Sequence, residues 1–238
     1  MWPFHRKTTL EDTGLFKGLT DRHSHILPGV DDGIPDMESA LGVLERYEQL
    51  GVRAVWLTPH VMEDIPNTTA ALRQRYEELM SAYHGPVKLN LAAEYMLDNG
   101  FEERLNNDDL LFMGASDYRM LLVETSYFNP PMGLYDIIAR IRESGYKPLL
   151  AHPERYLYMN NSDYERLVTM GVLFQCNITS LTGAYGKEAC RKFMTLLDRG
   201  WIHVLGTDVH RLESFDHAIT RQCIDDGQRK LLMAVAPR

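Results

Sequence analysis

Two histidines separated by a single residue, His23 and His25, are the part of this sequence best suited to bind a metal ion. They end a short extended stretch that begins near Gly18. Residues two apart in a β-strand face the same side, so both imidazoles are expected on one face, with Asp21 behind them. Imidazoles at this spacing form a chelate for divalent transition metals. The stretch therefore predicts one part of a metal site.

Further residues of ligand type stand at the ends of later apolar runs. They are Asp31, Asp32, His60, Glu94, Glu124, His152, Asp208 and His210. A single such histidine would more often be an ordinary core or surface residue, but the joint pattern indicates a metal centre. Imidazole and carboxylate ligands without thiolate suit Zn, Mn or Fe(II). So many ligands exceed the needs of one tetrahedral ion, and two or three clustered ions favour in-line displacement at phosphorus.

The elements that must position these residues alternate between strand-length apolar runs and amphipathic helix-length stretches. Strands are predicted near 19–25, 52–58, 87–93, 119–124, 147–151, 172–177 and 202–207. Helices are predicted near 36–50, 68–84, 99–106, 133–144, 162–170, 185–199 and 216–226. Strict alternation predicts a mostly parallel α/β sheet, either doubly wound or closed. About seven units, nearly all ending in a ligand-type residue, favour a distorted (β/α)7 TIM-like barrel in a single domain.

Composition and charge narrow the classes of function. The chain has 238 residues and a net charge of −8, which argues against a general nucleic-acid or anionic-membrane binder. Its three cysteines form no CxxC pair, so a disulfide framework or a thiolate zinc site is not expected, and a reducing cytoplasm fits. No run is long enough to span a bilayer, and the first residues lack the apolar stretch of a signal peptide, so none is expected. We expect a surface arm over residues 1–18 and one domain over residues 19–238.

The ligand pattern resembles the PHP (polymerase and histidinol phosphatase) superfamily. The residues that carry this resemblance are His23-Ser-His25, His60 after Thr-Pro, Glu94, Glu124, His152 and Asp208-Val-His210. Within that superfamily, the segments HSHILPGVDDG, AHPERY and GTDVH are similar to those of bacterial capsule- and exopolysaccharide-type metal-dependent protein-tyrosine phosphatases. The similarity runs from about Leu19 to His217. It implies a PHP-type barrel of about seven strands with three divalent metal ions, Mn first and Fe or Zn as alternatives.

The resemblance also assigns roles to single residues. It implies these metal ligands: His23, His25, Asp32, His60, Glu94, Glu124, His152, Asp208 and His210. The family pattern favours Asp32 over Asp31 as the metal ligand. Asp31 is then interpreted as a turn residue before Gly33. Arg155 corresponds to a phosphate-binding arginine, since a guanidinium can hold phosphoryl oxygens bidentately. A structural ion pair of Arg155 with Glu154 or Asp163 is the alternative.

Two departures from the family pattern concern substrate binding. The residue between Asp21 and His23 is usually apolar, and here it is Arg22. Some relatives carry a second arginine several residues after the last DxH, where this chain has Phe215. Arg211, directly after His210, is the candidate to replace that second arginine.

The implied activity is hydrolysis of phosphotyrosine by a hydroxide that bridges the metal ions, without a phosphoenzyme intermediate. Arg155 would bind the phosphoryl oxygens, and His210 or a metal-bound water would protonate the leaving phenolate. The implied partner is a bacterial tyrosine autokinase that governs polysaccharide export. The alternatives are a small-molecule phosphomonoesterase of the histidinol-phosphatase type, a non-catalytic regulator, and a nuclease, which the acidic charge disfavours.

Two other features have simpler interpretations. The segment from Cys223 to Arg229 matches CX5R, the loop of cysteine-dependent tyrosine phosphatases, but Asp225 and Asp226 would repel both a thiolate and a phosphate. It also follows the last predicted barrel unit and is not expected between a strand and a helix. Most of the aromatic residues near the predicted site are expected to pack in loops, although they could line its mouth: Tyr118, Tyr127, Phe128 and Tyr135. Cys176 and Cys190 are predicted to be small core residues.

Overall fold

The structure, a computed structural model, describes residues 7–235. The strands are β1 (Thr8–Thr9), β2 (Thr20–Asp21), β3 (Ala54–Leu57), β4 (His60–Val61), β5 (Lys88–Leu91), β6 (Glu94–Met96), β7 (Met113–Ala115), β8 (Tyr118–Glu124), β9 (Lys147–Ala151), β10 (Leu173–Asn177), β11 (Val204–Gly206) and β12 (Gln222–Ile224). The helices are α1 (Met37–Leu50), α2 (Thr69–Ala82), α3 (Phe101–Asn106), α4 (Leu134–Glu143), α5 (Asn161–Thr169), α6 (Gly186–Asp198), α7 (Leu212–Ile219) and α8 (Asp226–Val235). None of these described helices is both long and apolar enough to cross a membrane.

The strands form a curled, mostly parallel sheet. One part has the order β2-β3-β5, and the other has the order β11-β10-β9-β8-β6-β4, with β7 antiparallel to β8. β3 and β4 are successive segments of one strand interrupted at Pro59, and β5 and β6 are interrupted at Ala92 and Ala93. The parts meet again where Asp208 N donates to His23 O at 2.8 Å. The predicted single-domain TIM-like α/β fold is confirmed, with a seven-stranded ring whose ladder is broken in places.

The interior of the ring is apolar at the level of the strands and polar above it. On β8, side chains alternate between the two faces, so Met120, Leu122 and Glu124 share one face. Met120 and Leu122 belong to a small buried cluster with Leu149 on β9. Leu121 and Val123 face the helices and join the main core. Glu124 therefore stands directly above an apolar floor, at the end of the strand where a βα-barrel assembles its active site.

The last part of the chain differs from the predicted helix over 216–226. α7 begins at Leu212 and ends at Ile219, and a short strand β12 follows before α8. β12 pairs antiparallel with β1, more than two hundred residues away in the chain. Helical periodicity cannot reveal such a partner, because the strand is selected by long-range pairing. The expectation that the segment from Cys223 to Arg229 does not join a strand to a helix is also wrong, since this segment runs from β12 into α8.

The N-terminal residues pack more closely than a surface arm would. Leu10, Leu15 and Phe16 are at most 2% exposed. The Phe16 ring lies 5.8 Å from that of Phe215 on α7, in an edge-on arrangement. Residues 8–16 therefore contribute to the core, in contrast to the expected surface arm. The boundary of the domain at residue 19 stays a prediction.

Candidate metal centre

The carboxylate of Glu94 lies at the centre of the predicted ligands. Its Oε2 atom is 3.0 Å from His23 Nε2, 3.3 Å from His25 Nε2 and 3.2 Å from His60 Nδ1. Its Oε1 atom is 3.0 Å from His152 Nε2. β4 and β6 create part of this arrangement, because His60 and Glu94 are direct partners in their parallel ladder. One carboxylate within reach of four imidazoles is suited to bridge metal ions.

The remaining predicted ligands extend the cluster towards the cleft mouth. Asp208 Oδ1 lies 3.3 Å from His25 Nε2 and 3.5 Å from His210 Nδ1. Asp32 Oδ1 lies 3.6 Å from both His60 Nε2 and His210 Nε2. Three overlapping groups of side chains could each hold an ion, because within each group the ligand atoms lie within 4.8 Å of one another. The groups are His25-Asp32-His60-His210, His23-His25-Glu94 and His60-Glu94-Glu124. The predicted ligands are thus brought together in one cluster.

The imidazoles of His23 and His25 face each other through ring nitrogens, an arrangement that favours binding of a cation between them. His23 Nδ1 lies 2.7 Å from Gln175 Oε1, and His25 Nδ1 lies 2.8 Å from Asp31 Oδ2. Both oxygens accept, so each Nδ1 donates its hydrogen and each Nε2 directs a lone pair into the site. The two Nε2 atoms are only 3.1 Å apart. Burial alone would lower the pKa of His23, but Glu94 and Asp208 raise that pKa to about 9, because the cluster attracts positive charge.

Within the described residues, several buried polar atoms of the cluster have no hydrogen-bond partner. They are His60 Nδ1, Glu94 Oε1, Glu124 Oε1 and His152 Nδ1. His60 Nδ1 and Glu124 Oε1 are 3.0 Å apart, yet their geometry is that of a charge contact and not of a hydrogen bond. Buried polar atoms are normally paired, and a bound ion would satisfy the carboxylate oxygens and His60 Nδ1. The nitrogen and oxygen donors, without thiolate, fit Mn, Fe(II) or Zn.

The two neighbouring aspartates have different surroundings. Asp31 is buried behind His25 and also accepts from the backbone N–H groups of His60 and Gly33, each at 3.0 Å. This turn needs glycine, because a Cβ at position 33 would overlap the Cβ and carbonyl oxygen of His25. The Asp32 side chain is 68% exposed at the cleft mouth. The geometry thus gives Asp31 the role of orienting His25, while Asp32 as a ligand stays a prediction.

Backbone strain is concentrated at the cluster. Among residues 7–235, the non-glycine residues with positive φ are His152 at 32°, Asp208 at 54° and Asp108. Two of these three are predicted metal ligands, and such strain persists where the surrounding structure holds a functional side chain in place. Gly206 adds a close approach, because a Cβ there would lie 2.5 Å from His23 Cβ. The strand end before Asp208 is therefore shaped around His23.

Arg155 lies against the cluster without belonging to it. Its Nη1 donates to Asp208 Oδ2 at 2.7 Å, and its guanidinium carbon lies 4.5 Å from the Tyr127 ring centre and 4.2 Å from that of Tyr185. Burial would lower the pKa of Arg155, but Asp208 and the neighbouring groups raise it overall. The alternative ion pairs with Glu154 or Asp163 are not formed. Arg155 instead lines a cleft of about 460 Å³, which has room for a phosphorylated aromatic side chain.

Other predicted site residues have mixed positions. Arg211 lines the cleft, whereas Phe215 is a core residue that is 4% exposed at the inner wall. Of the four aromatic residues predicted near the mouth, Tyr127 lines the cleft. Tyr118 stacks under Lys147 at the start of β8, and Tyr135 packs against Arg166. Arg22 is half-buried, and its Nε atom has no hydrogen-bond partner in the described chain.

The cysteines offer no activated thiol among the side chains described. Cys176 is fully buried, and this burial raises its thiol pKa. Cys190 is partly buried, and its thiol pKa is also raised by burial. The Cys223 side chain lies outside the described part of the structure. At the start of α8, Asp225 Oδ1 accepts from Gln228 N at 2.9 Å, so a carboxylate already occupies the position that a phosphate would need.

Three functional residues were missed from the sequence. Gln175 orients His23 and also accepts from His152 N at 3.3 Å. Asn177 Nδ2 donates to Asp208 Oδ2 at 2.7 Å, and the Tyr185 hydroxyl lies 3.3 Å from the same oxygen. Gln175 and Asn177 share one face at the end of β10, the one strand end without a predicted ligand. Two polar residues in alternation within an apolar strand were the available signal.

Comparison with known proteins agrees with this geometry. The family model described as "Capsular polysaccharide synthesis, CpsB/CapC" matches residues 19–234. The tyrosine-protein phosphatase YwqE of Bacillus subtilis is 27% identical in an alignment of 202 positions, which covers 82% of this chain and 79% of YwqE. The tyrosine-protein phosphatase CpsB of Streptococcus pneumoniae is 25% identical in an alignment of 215 positions, which covers 82% of this chain and 84% of CpsB.

A solved structure shows the same fold. It comes from work on YwqE and CpsB, described as unique metal-dependent tyrosine phosphatases, and it matches with a TM-score of 0.74 and 24% identity. The match covers 92% of this chain and 96% of the other. The family model spans most of the sequence, including every predicted ligand. The chain therefore belongs to the CpsB/CapC family of capsular polysaccharide synthesis, in agreement with the resemblance drawn from its sequence.

Proposed function

We propose that this protein is a metal-dependent phosphotyrosine-protein phosphatase. The observation that carries the proposal is the position of Arg155, whose guanidinium lines the cleft beside the buried histidine and carboxylate cluster. A phosphoryl group bound by this guanidinium would lie next to the cluster. The names of the relatives YwqE and CpsB, both tyrosine-protein phosphatases, support the same activity.

Nine residues are proposed to bind about three divalent ions: His23, His25, Asp32, His60, Glu94, Glu124, His152, Asp208 and His210. Mn is the first candidate, with Fe or Zn as alternatives, because the donors are nitrogen and oxygen only. When bound, the ions would activate water for attack at phosphorus and offset the charge of the phosphoryl oxygens. The overlap of the three ligand groups at His25, His60 and Glu94 supports a multinuclear centre.

The side chains of this protein supply the remaining functions. Arg155 holds the phosphoryl oxygens through its planar fork, and contacts with the rings of Tyr127 and Tyr185 keep the guanidinium in place. His210 donates from Nδ1 to the Asp208 carbonyl oxygen at 3.0 Å, so its Nε2 faces the cleft. Its side chain is 28% exposed and lines the cleft. Since a phenol has a pKa of about 10, the phenolate needs little assistance, and water can return its proton. His210 can return that proton only while its Nε2 holds no metal ion, because its Nδ1 hydrogen is donated to the Asp208 carbonyl oxygen.

The proposed partner is a bacterial tyrosine autokinase that controls polysaccharide synthesis or export, and the proposed location is the cytoplasm. The family description of capsular polysaccharide synthesis supports this assignment. A cleft that opens to the surface, beside exposed loops, supports a polypeptide substrate more than a small one.

A substrate comparison tests the proposal. The protein, purified without chelator and supplied with Mn²⁺, is assayed with a phosphotyrosine peptide, the matching phosphoserine peptide and histidinol phosphate. We expect the highest kcat/KM for the phosphotyrosine peptide. Preference for histidinol phosphate would indicate a small-molecule phosphomonoesterase, and hydrolysis of none of the three would reject phosphatase activity.

A further inference from the structure

The loops beside the cleft expose large apolar side chains. Within residues 7–235, the three most exposed are Met132 at 97%, Phe128 at 69% and Leu157 at 60%. Met132 and Phe128 belong to the loop that follows Glu124, and Leu157 belongs to the loop that follows His152. A concentration of such side chains at one place on a soluble domain commonly marks a binding surface.

This apolar surface is continuous with the candidate active site. Leu157 N donates to Tyr127 O at 2.8 Å, which holds the two loops together. Tyr127 in turn packs on the guanidinium of Arg155. A groove of about 190 Å³ beside them is lined by Tyr127, Arg155 and Leu157 together with Glu154 and Glu188, so it connects the exposed Leu157 to the proposed phosphate position.

A second groove is lined by residues of the same two loops. It has a volume of about 430 Å³ and is lined mainly by apolar and aromatic groups: Pro130, Pro131, Leu134, Tyr135, Tyr158 and Met159. An extended peptide advances about 3.3 Å per residue and presents alternate side chains to the same side. A partly charged groove beside the phosphate position and an apolar groove along the same loops thus suit a polypeptide that crosses the cleft.

We infer that Phe128, Met132 and Leu157 form a docking surface for the polypeptide that flanks the phosphotyrosine, with preference for apolar neighbours of that residue. The inference rests on the proposed phosphatase activity. A small phosphomonoester held by Arg155 and the metal cluster would leave this surface unused. The surface therefore selects protein substrates and contributes to binding but not to the chemical step.

The test combines three substitutions with two substrates. The substitutions are Phe128→Gln, Met132→Gln and Leu157→Gln, alone and together. The substrates are p-nitrophenyl phosphate and a synthetic peptide that has leucine and phenylalanine on both sides of phosphotyrosine. Met80→Gln is the matched control, since Met80 is 44% exposed in the last turn of α2, at the end of the barrel remote from the cleft.

We expect each substitution to raise KM for the peptide roughly fivefold, and the triple variant on the order of a hundredfold, as for loss of partial apolar burial. The kcat for the peptide and both constants for p-nitrophenyl phosphate should stay near wild type, as should all constants of Met80→Gln. Unchanged peptide kinetics in the triple variant would overturn the inference. A change of oligomeric state with unchanged peptide kinetics would also overturn it and would mark a self-association surface.

The single Met132→Gln variant guards against misfolding, because a side chain that is 97% exposed does not support the core. Parallel losses on both substrates in this variant would contradict a docking role. If the wild-type protein hydrolyses neither substrate, the proposed phosphatase activity fails, and the inference fails with it.

Discussion

Substitution of Gln175 provides a demanding test of how this protein prepares its histidines for metal binding. Gln175 is fully buried on β10, and its Oε1 accepts from His23 Nδ1 at 2.7 Å and from His152 N at 3.3 Å. In Gln175→Leu the His23 Nδ1–H group has no acceptor. The imidazole then favours the other tautomer, which carries hydrogen on Nε2 and has its lone pair on Nδ1, the nitrogen that faces position 175 and not the cluster.

The size of the effect follows from this contact. A buried donor without a partner costs about 1–3 kcal/mol. That cost arises only in the tautomer that binds metal, so metal affinity should fall roughly ten- to a hundredfold, the usual range for such supporting hydrogen bonds. Gln175→Glu retains an acceptor at the same place and should restore most of the affinity.

The assay is competition of the metal-stripped protein with a chromophoric chelator for Mn²⁺. Asn90→Leu is the control, because it removes a side-chain amide elsewhere in the barrel. Asn90 on β5 is partly buried, and its Nδ2 donates to Val55 O on β3 at 3.2 Å. We expect Asn90→Leu to bind metal as the wild type does. Wild-type affinity in a folded Gln175→Leu protein would refute the reasoning that Gln175 fixes the His23 tautomer.

Three more predictions concern the site. Arg155→Lys should lower kcat/KM for a phosphotyrosine peptide roughly ten- to a thousandfold with unchanged metal content, because the planar fork is lost, and steady-state kinetics with elemental analysis check this. Near-normal kinetics would remove Arg155 from the site. Gly206→Ala should displace His23 and reduce bound metal measurably, since the new Cβ would lie 2.5 Å from His23 Cβ. Full metal content would contradict that account. Cys223→Ser should keep wild-type turnover, whereas complete loss with metal retained would reject the metal mechanism.

The clustering of the predicted ligands could be foreseen from the sequence because their positions follow local rules. His23 and His25 are two apart on an extended segment, and His60, Glu94 and Glu124 end apolar runs. Parallel strands of one curled sheet bring such ends to the same side. The prediction of Arg155 as a phosphate-binding residue rested on the family resemblance, and its partner Asp208 was not foreseen.

The parts that were not predictable depend on long-range contacts. β12 exists because it pairs with β1, and no local pattern of Gln222–Ile224 contains that information. The breaks at Pro59 and at Ala92 and Ala93 moved His60 and Glu94 from the ends of strands to the starts of new ones. Gln175 was overlooked because its function depends on which imidazole it contacts across the barrel.

Metal content and activity of one preparation test the central claim most directly. The protein is stripped with a chelator, titrated with Mn²⁺, and assayed at each point for metal bound and for phosphotyrosine hydrolysis. We predict negligible activity without metal and full activity at about three ions per chain. Full turnover by the stripped protein, with less than about one ion per chain, would contradict a catalytic metal centre formed by these residues.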